Sequence, residues 1–261
     1  MQASALSSAL PLLLAAGLPV TSPAQSLLPN PGFEEGTDQP MGWRLEGGAG
    51  AWSDLAHQGK RALMVVGTGT DSRTWRTDWL PLTPGGLYRL SFHARRDVGT
   101  SGGCVVSGTS RVNHDFRPGD AWQPFNFVFS VPNDLTNDYI RLGHWEMKGK
   151  VFFDDVALAP VQPAHVRSGN RQLGEAESIQ DRVYRFSPQF AWAGANFHRP
   201  LWVNRASFNS DRWVFSPGAE IVYRFALSSV TQTNARVRVG VNYYLSGALR
   251  VEAGTDGTEW M

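Results

Sequence analysis

The sequence predicts an all-β protein made of two β-sandwich domains in tandem. Residues 87–95 alternate apolar and polar side chains, so that Leu90 and Phe92 face one side and His93 the other. Residues 122–129 repeat this alternation with three phenylalanines. The chain has 27 glycines and 16 prolines in 261 residues, which favours many turns, and no stretch has a convincing helical period.

Composition excludes several classes of function. Lys plus Arg (24) nearly cancels Asp plus Glu (23), so no net field would attract nucleic acid or an anionic membrane. The single cysteine, Cys104, excludes an intramolecular disulfide and a multi-cysteine zinc site. Because Cys104 lies in a valine-rich strand, we expect a buried thiol and not a reactive one.

Residues 1–25 are predicted to be a signal peptide. Their apolar core at 9–18 is too short to span a bilayer, and small residues at 22–24 suit a cleavage site. The first basic residue is Arg44, so the usual positive start of a signal peptide is missing. The alternative is a disordered arm rich in alanine and serine. No later stretch approaches 18 apolar residues.

Residues 26–159 form the first predicted domain. Its strands are expected, in order, at 61–66, 87–95, 122–129, 139–145 and 150–158. A proline-bearing linker follows at 160–164.

Residues 165–261 form the second predicted domain, with strands expected at 212–215, 220–227, 236–241 and 249–253. Only 97 residues follow position 164, so we expect this sandwich to lack one or more strands. The sequence is then the front end of a longer protein. The aromatic and polar residues at 208–213 and 241–244 are expected to be core and turn residues, with ligand contact as the alternative.

Two segments stand at opposite ends of the first domain. Residues 30–36 read NPGFEEG, a turn-rich opening with two carboxylates, and residues 151–158 read VFFDDVAL, a strand with two adjacent aspartates. This pair of segments resembles the carbohydrate-binding modules of families four, nine, sixteen and twenty-two. The resemblance covers about residues 27–159 and implies a jelly-roll, galactose-binding-like sandwich that binds sugar without cutting it.

The resemblance also implies a structural calcium between the first and last strands. Calcium prefers six to eight oxygen ligands. Glu34 or Glu35 would supply one carboxylate and Asp155 another, with Asp154 the weaker alternative. The turn at Lys60 would supply main-chain oxygen. Solvated turn acids are the alternative interpretation of these residues.

A sugar site needs an exposed aromatic ring beside hydrogen-bonding groups, because sugars carry apolar C–H faces and a polar rim. Three strands could supply such a surface. The candidate ligand-binding residues are Arg73, Trp75, His93, Arg95, Arg111, Asn113, Trp145 and Glu146.

Two of these strands leave an alternative open. Trp75 resembles the stacking tryptophan of the family, but strand tryptophans are often core residues. Strict alternation from Leu142 turns His144 and Glu146 inward and leaves Trp145 outside. A buried unpaired glutamate is costly, so either the strand bulges near Gly143 or Glu146 lies beyond its end.

The predicted function is non-catalytic binding of an oligosaccharide or polysaccharide by a secreted protein, extracellular or periplasmic. The chain lacks the usual zinc-helix, nucleophile-elbow and phosphate-loop motifs. Glycosidases need two carboxylates that flank a cleft, and Glu146 with Asp115 or Asp120 is the candidate pair. Most such pairs in a sequence arise by chance, so we do not expect catalysis from these residues. The alternatives are a spacer or adhesive pair of domains without sugar affinity, and the ancillary region of a glycoside hydrolase or polysaccharide lyase. Exposure of Trp75 or Trp145 separates the first alternative from sugar binding.

Overall fold

The computed structural model describes residues 26–163, 166–168, 171–227, 231–255, 257 and 259–260. The predicted signal peptide at 1–25 lies outside the described residues. Among these residues no helix is present that is long and apolar enough to cross a membrane.

The described residues form twenty strands, and the predicted all-β class is confirmed. The first twelve are, in chain order, β1 (Trp43–Glu46), β2 (Ala49–Ser53), β3 (Ala62–Thr68), β4 (Ser72–Thr77), β5 (Leu80–Pro81), β6 (Leu87–Arg96), β7 (Cys104–Gly108), β8 (Val112–Phe116), β9 (Gln123–Ser130), β10 (Asn137–Asp138), β11 (Arg141–Trp145) and β12 (Lys148–Pro160). The other eight are β13 (Val166–Ser168), β14 (Arg171–Leu173), β15 (Glu177–Gln180), β16 (Val183–Phe186), β17 (Leu201–Asn204), β18 (Ser207–Asn209), β19 (Arg212–Val214) and β20 (Ile221–Tyr223).

Two sheets make the N-terminal sandwich. The seven-stranded sheet has the order β1-β4-β11-β7-β8-β18-β19, and the five-stranded sheet has the order β2-β3-β12-β6-β9. All pairs within them are antiparallel except β18 with β8. The small pair of β5 and β10 lies beside them.

Aromatic side chains join the two inner faces. The ring of Phe92 on β6 lies 5.2 Å from that of Phe116 on β8, in an edge-to-face arrangement. Phe153 on β12 and Leu142 on β11 are fully buried. The expected alternation of 87–95 is confirmed, because the even-numbered residues from Tyr88 to Ala94 are buried and the odd-numbered ones are more exposed.

The second segment packs partly on the first sandwich. β18 pairs with β8 and so extends the seven-stranded sheet. The Val128 N–H of β9 donates to the Ala193 carbonyl at 3.2 Å. Asn204 binds both Asn133 and the Ser130 carbonyl. Residues 190–204 therefore cover an outer part of β9 that a lone sandwich would expose.

A complete second sandwich stays a prediction. The remaining strands pair two by two, as β13 with β14, β15 with β16, and β17 with β20. The chain divides into two compact units after Ala226, and the predicted linker at 160–164 stays a prediction.

The strands predicted at 236–241 and 249–253 are wrong, since the described residues there form no strand. Val237, Val239 and Val241 are 63%, 50% and 62% exposed. Their alternation is typical of a strand, but a strand also needs a neighbour to pair its backbone groups. None of the described strands pairs with 236–241.

The low pKa of the buried His198 predicts how the unfolding free energy depends on pH. Its side chain is buried against the Phe197 ring, 4.4 Å away, and burial lowers its pKa to about 3. The unfolded chain therefore takes up a proton below pH 6.5 that the folded chain does not, so stability falls as the pH falls. From pH 7 to 5 this histidine should cost about 2 kcal/mol of unfolding free energy.

Urea unfolding of the wild type and His198→Gln at both pH values measures this effect. The variant should lose about 2 kcal/mol less between the two pH values than the wild type does. Equal losses in both proteins would mean that His198 is not the neutral buried group described here.

Candidate functional site

The candidate sugar residues do not form one group, because the exposed ones lie on the outer sides of both sheets and Trp75 lies between the sheets. Asn113 and Trp145 point outward from the seven-stranded sheet, and Glu146 follows its strand β11. His93 and Arg95 point outward from the five-stranded sheet. A single ligand surface that includes all eight residues is therefore not formed.

Trp75 is a core residue, which is one of the two alternatives that the sequence left open. It is 4% exposed, and its indole N–H donates to the Met64 carbonyl of the opposite sheet at 2.9 Å. Its neighbours in register are Leu45 and Leu142, which form an inward-facing apolar row. Trp75 therefore belongs to this inward-facing row and does not form an exposed platform.

Of the two candidate tryptophans, Trp75 and Trp145, only Trp145 is exposed, at 51%. It ends β11, where Leu142 and His144 are fully buried, so strict alternation places Trp145 outside as expected. Glu146 lies just beyond the strand with φ of 50° and is exposed. The register of β11 with β4 and β7 is regular, so the alternative with a bulge at Gly143 is wrong.

A row of polar residues crosses the outward side of the same sheet. The register aligns Arg76 of β4 with Arg141 of β11, then Gly108, Asn113 of β8 and Asn209 of β18. Arg141 donates to Asn113 at 3.5 Å, and its Nε is buried without a hydrogen-bond partner. We call this row, with Trp145 and Asp115, the Trp145 face.

Asn113 and Asp115 hold one end of this face in place. The Asn113 side chain donates to Asp115 at 2.8 Å and to Asn209 at 3.1 Å. Ser210 donates to the other Asp115 oxygen at 2.6 Å. At the opposite end, Arg76 pairs with Glu46 and lies over the Tyr139 ring. The face is thus pre-organised by hydrogen bonds among its own side chains.

Two predicted residues are bound to neighbouring acids. Arg73 forms an ion pair with Asp71 at 3.3 Å. Arg111, just before β8, donates to both oxygens of Asp134 at 2.9 and 2.8 Å. Their roles in binding a ligand stay predictions.

Cys104 lies beside Trp145 in the register and is buried, as expected. Burial, with the nearby Asp115 carboxylate, raises the pKa of its thiol to about 12. The thiol is therefore protonated at neutral pH and unreactive.

A β-bulge shapes the outer side of the five-stranded sheet. The register of β12 with β6 shifts between Asp154 and Ala157, and Asp155 has φ of 49°. Phe153 and Val156 are both fully buried, so the bulge fits two residues on the outer side where a regular strand would fit one. Both aspartates therefore face outward.

Asp154 fastens the loop at 54–60 to β12. Its carboxylate accepts the backbone N–H groups of His57 at 2.7 Å, Gln58 at 3.1 Å and Asp155 at 2.8 Å. Burial raises the pKa of Asp154, and these three N–H groups oppose that effect. Beneath the loop, the carboxylate stays fully buried.

Asp155 lies against two histidines. Its Oδ2 is 2.5 Å from Nδ1 of His57 and 3.4 Å from Nδ1 of His93. The two imidazole rings stack with centroids 4.0 Å apart. Burial lowers the pKa of His93, as does His57, while Asp155 raises it.

Glu34 binds the opening turn at 30–36 to the turn at Lys60 by hydrogen bonds. One of its oxygens accepts the backbone N–H groups of Lys60 and Arg61, both at 2.8 Å. Glu35 is exposed. Within the described part of the chain, the group of His57, His93 and Asp155 is close enough to share an ion, and it contains neither glutamate.

Calcium fits this donor set poorly. It takes oxygen ligands, whereas Asp155 faces imidazole nitrogens and Glu34 faces backbone N–H groups. The calcium implied by the resemblance stays a prediction.

Sequence reasoning missed two parts of these surfaces. His57 has no local signal, because its partners lie 36 and 98 residues later in the chain. Arg76 and Asn209 join the Trp145 face only through strand register. The alternation of β11, which predicts that Arg141 and Trp145 point outward, was the one sequence signal for this face.

Solved structures of similar fold include carbohydrate-binding modules. A CBM4 module is 21% identical and covers 51% of this chain and 99% of its own, with a TM-score of 0.41. A CBM22-1 xylan-binding domain from Paenibacillus barcinonensis Xyn10C is 19% identical, with coverages of 51% and 93% and a TM-score of 0.42.

The enzymatically active domain of bacteriophage CBA120 tailspike protein 4 is 12% identical, with a TM-score of 0.40. The match covers 52% of this chain but only 21% of the tailspike chain. No protein-family model matches the sequence, and no curated protein matches it.

Glu34→Gln tests the hydrogen bonds between Glu34 and the turn at Lys60. The substitution keeps the shape but removes the charge that accepts two N–H groups, so in EGTA it should cost about 1 kcal/mol of unfolding free energy. The neighbouring exposed Glu35→Gln is the matched control and should cost almost nothing. Urea unfolding measures both.

Repeating the urea unfolding with calcium in place of EGTA distinguishes the hydrogen bonds of Glu34 from the predicted calcium as the source of stability. A loss in Glu34→Gln that is the same with calcium and with EGTA supports the hydrogen bonds alone. A gain in wild-type stability with calcium that Glu34→Gln removes would instead support the calcium.

Proposed function

We propose that this chain binds an oligosaccharide or polysaccharide on the Trp145 face. The observation that carries the proposal is the half-exposed indole of Trp145 on the same outward side as Arg141 and Asn113. An exposed aromatic ring with fixed polar groups beside it is the arrangement that binds the apolar and polar sides of a sugar.

The dimensions of the face favour a chain of sugars. Arg141 and Trp145 lie four residues apart on β11, or about 13 Å along the strand. A ligand that touches both would be longer than one sugar ring. The polar row runs across the strands, so it would contact hydroxyl or carboxylate groups on one part of such a chain.

The acids on this face favour binding over catalysis. Glycoside hydrolysis needs one carboxylic acid and one carboxylate that can both reach the scissile bond. Glu146 is exposed beside Trp145, but both oxygens of Asp115, its possible partner on this face, accept hydrogen bonds from Asn113 and Ser210. Asp115 is thus already used to orient neighbouring side chains, so we propose a non-catalytic role.

The proposal includes the secreted location predicted from residues 1–25, where extracellular or periplasmic polysaccharide would be available. The polar rather than strongly charged composition suits this ligand class. The buried Trp75 is placed in the core and takes no part in the binding surface.

Trp145→Ala tests the proposal in the full chain. Loss of one stacking ring should weaken binding about tenfold while leaving the unfolding free energy nearly unchanged, because the ring is half exposed. Affinity electrophoresis in gels that contain xylan, mixed-linkage glucan, galactan or a polyuronate measures the retardation.

Two controls sharpen this experiment. Trp192→Ala removes another exposed tryptophan, outside the face, and should leave retardation unchanged. Trp75→Phe removes the indole N–H bond in the core and should lower stability without changing retardation. A folded wild type that no polysaccharide retards, or equal losses in Trp145→Ala and Trp192→Ala, would refute the proposal and favour the spacer role.

A further inference from the structure

Three side chains from distant parts of the chain converge on the outer side of the five-stranded sheet. Nδ1 of His57 and Nδ1 of His93 both face Oδ2 of Asp155, at 2.5 and 3.4 Å. Their donor atoms all lie within 4.8 Å of one another. The His93 Nδ1 is buried and has no hydrogen-bond partner of good geometry.

The backbone fixes this arrangement. His57 is held because its own N–H donates to Asp154, and His93 lies opposite Asp154 in the β6–β12 register. The bulge, in which Asp155 has a left-handed backbone conformation, turns the Asp155 carboxylate toward both imidazole rings. A left-handed conformation is unfavourable for a non-glycine residue, so the fold bears a cost to place this carboxylate.

We propose that His57, His93 and Asp155 bind a divalent transition metal of the zinc class. Two imidazole nitrogens and one carboxylate form a donor set that zinc accepts, with a fourth position left for water or an outside ligand. In a tetrahedral site with bonds of about 2.0–2.1 Å, neighbouring donors stand about 3.3 Å apart. The His93–Asp155 distance of 3.4 Å meets this, and the shorter His57–Asp155 contact would open by less than 1 Å. The two rings are stacked at an interplanar angle of 15°, so binding would also turn at least one imidazole until both Nδ1 lone pairs point at the ion.

Access from solvent is sufficient for a metal to enter. The side chains of His57, His93 and Asp155 are 28%, 27% and 26% exposed. The Trp122 ring lies 5.7 Å from the His57 ring and shields one side. The site lies on the sheet opposite the Trp145 face and does not depend on sugar binding.

Cobalt(II) is the probe, because its visible absorption reports coordination geometry while calcium is silent. The full chain without a histidine tag should bind one equivalent of Co²⁺ with tetrahedral-type absorption, and Zn²⁺ should displace it. His57→Ala and His93→Ala should each weaken Co²⁺ binding at least about 100-fold, since even outer partners of metal ligands contribute 10–100-fold. Circular dichroism checks that each variant is folded, and His93→Gln replaces His93→Ala if the latter is not.

Asp155→Asn should weaken Co²⁺ binding as well, whereas Asp120→Asn, at an exposed aspartate outside the cluster, should not. Binding that is unchanged in both histidine variants would overturn the proposal, as would the absence of absorption changes in the folded wild type. Millimolar calcium that displaces Co²⁺ would assign Asp155 to the predicted calcium instead. None of these outcomes depends on whether the chain binds polysaccharide.

Discussion

The position of β12 at the centre of the five-stranded sheet is the constraint on which the sandwich depends. This strand pairs with β3 on one side and β6 on the other. It also binds the N-terminal opening, because Leu27 donates to the Leu158 carbonyl and Val156 donates to Pro31. First and last segments of the domain are therefore joined by backbone hydrogen bonds. The bulge between Asp154 and Ala157 begins where the pairing with β3 ends, at Phe153, so it shifts only the register with β6 and leaves both pairings in place.

Strand register decides which tryptophan is available to a ligand. Trp75 and Trp145 lie on neighbouring strands, and both have polar neighbours in sequence. Trp75 stands opposite Leu142, on the inward row, while Trp145 stands three positions further along β11, on the outward row. Alternation has a period of two, so an odd offset places the two indoles on opposite sides of the sheet. The Trp75 indole therefore forms a hydrogen bond to the opposite sheet, while the Trp145 indole lies on the surface.

The sequence predicted those features whose signal is local. The alternation of β6, the inward His144 and the position of Glu146 beyond its strand all follow from neighbours within a few residues. The choice between core and platform for Trp75 stayed open, because Leu45 and Leu142, which flank it in the inward-facing row, are distant in the sequence. Residues 236–241 show the opposite limit. Their valine alternation is a local signal for a strand, but a strand forms only where another strand pairs with it.

The second segment changes what the first sandwich can do. By pairing with β8, β18 protects an edge that would otherwise present unpaired backbone groups. The same pairing extends the polar row to Asn209 and brings Ser210 to Asp115. The surface that the sandwich offers to a ligand is therefore completed by residues about 95 positions later in the chain. Residues 190–204 meanwhile cover part of the outer side of β9. On the opposite sheet, this cover lies on β9, whereas His57, His93 and Asp155 stay partly exposed.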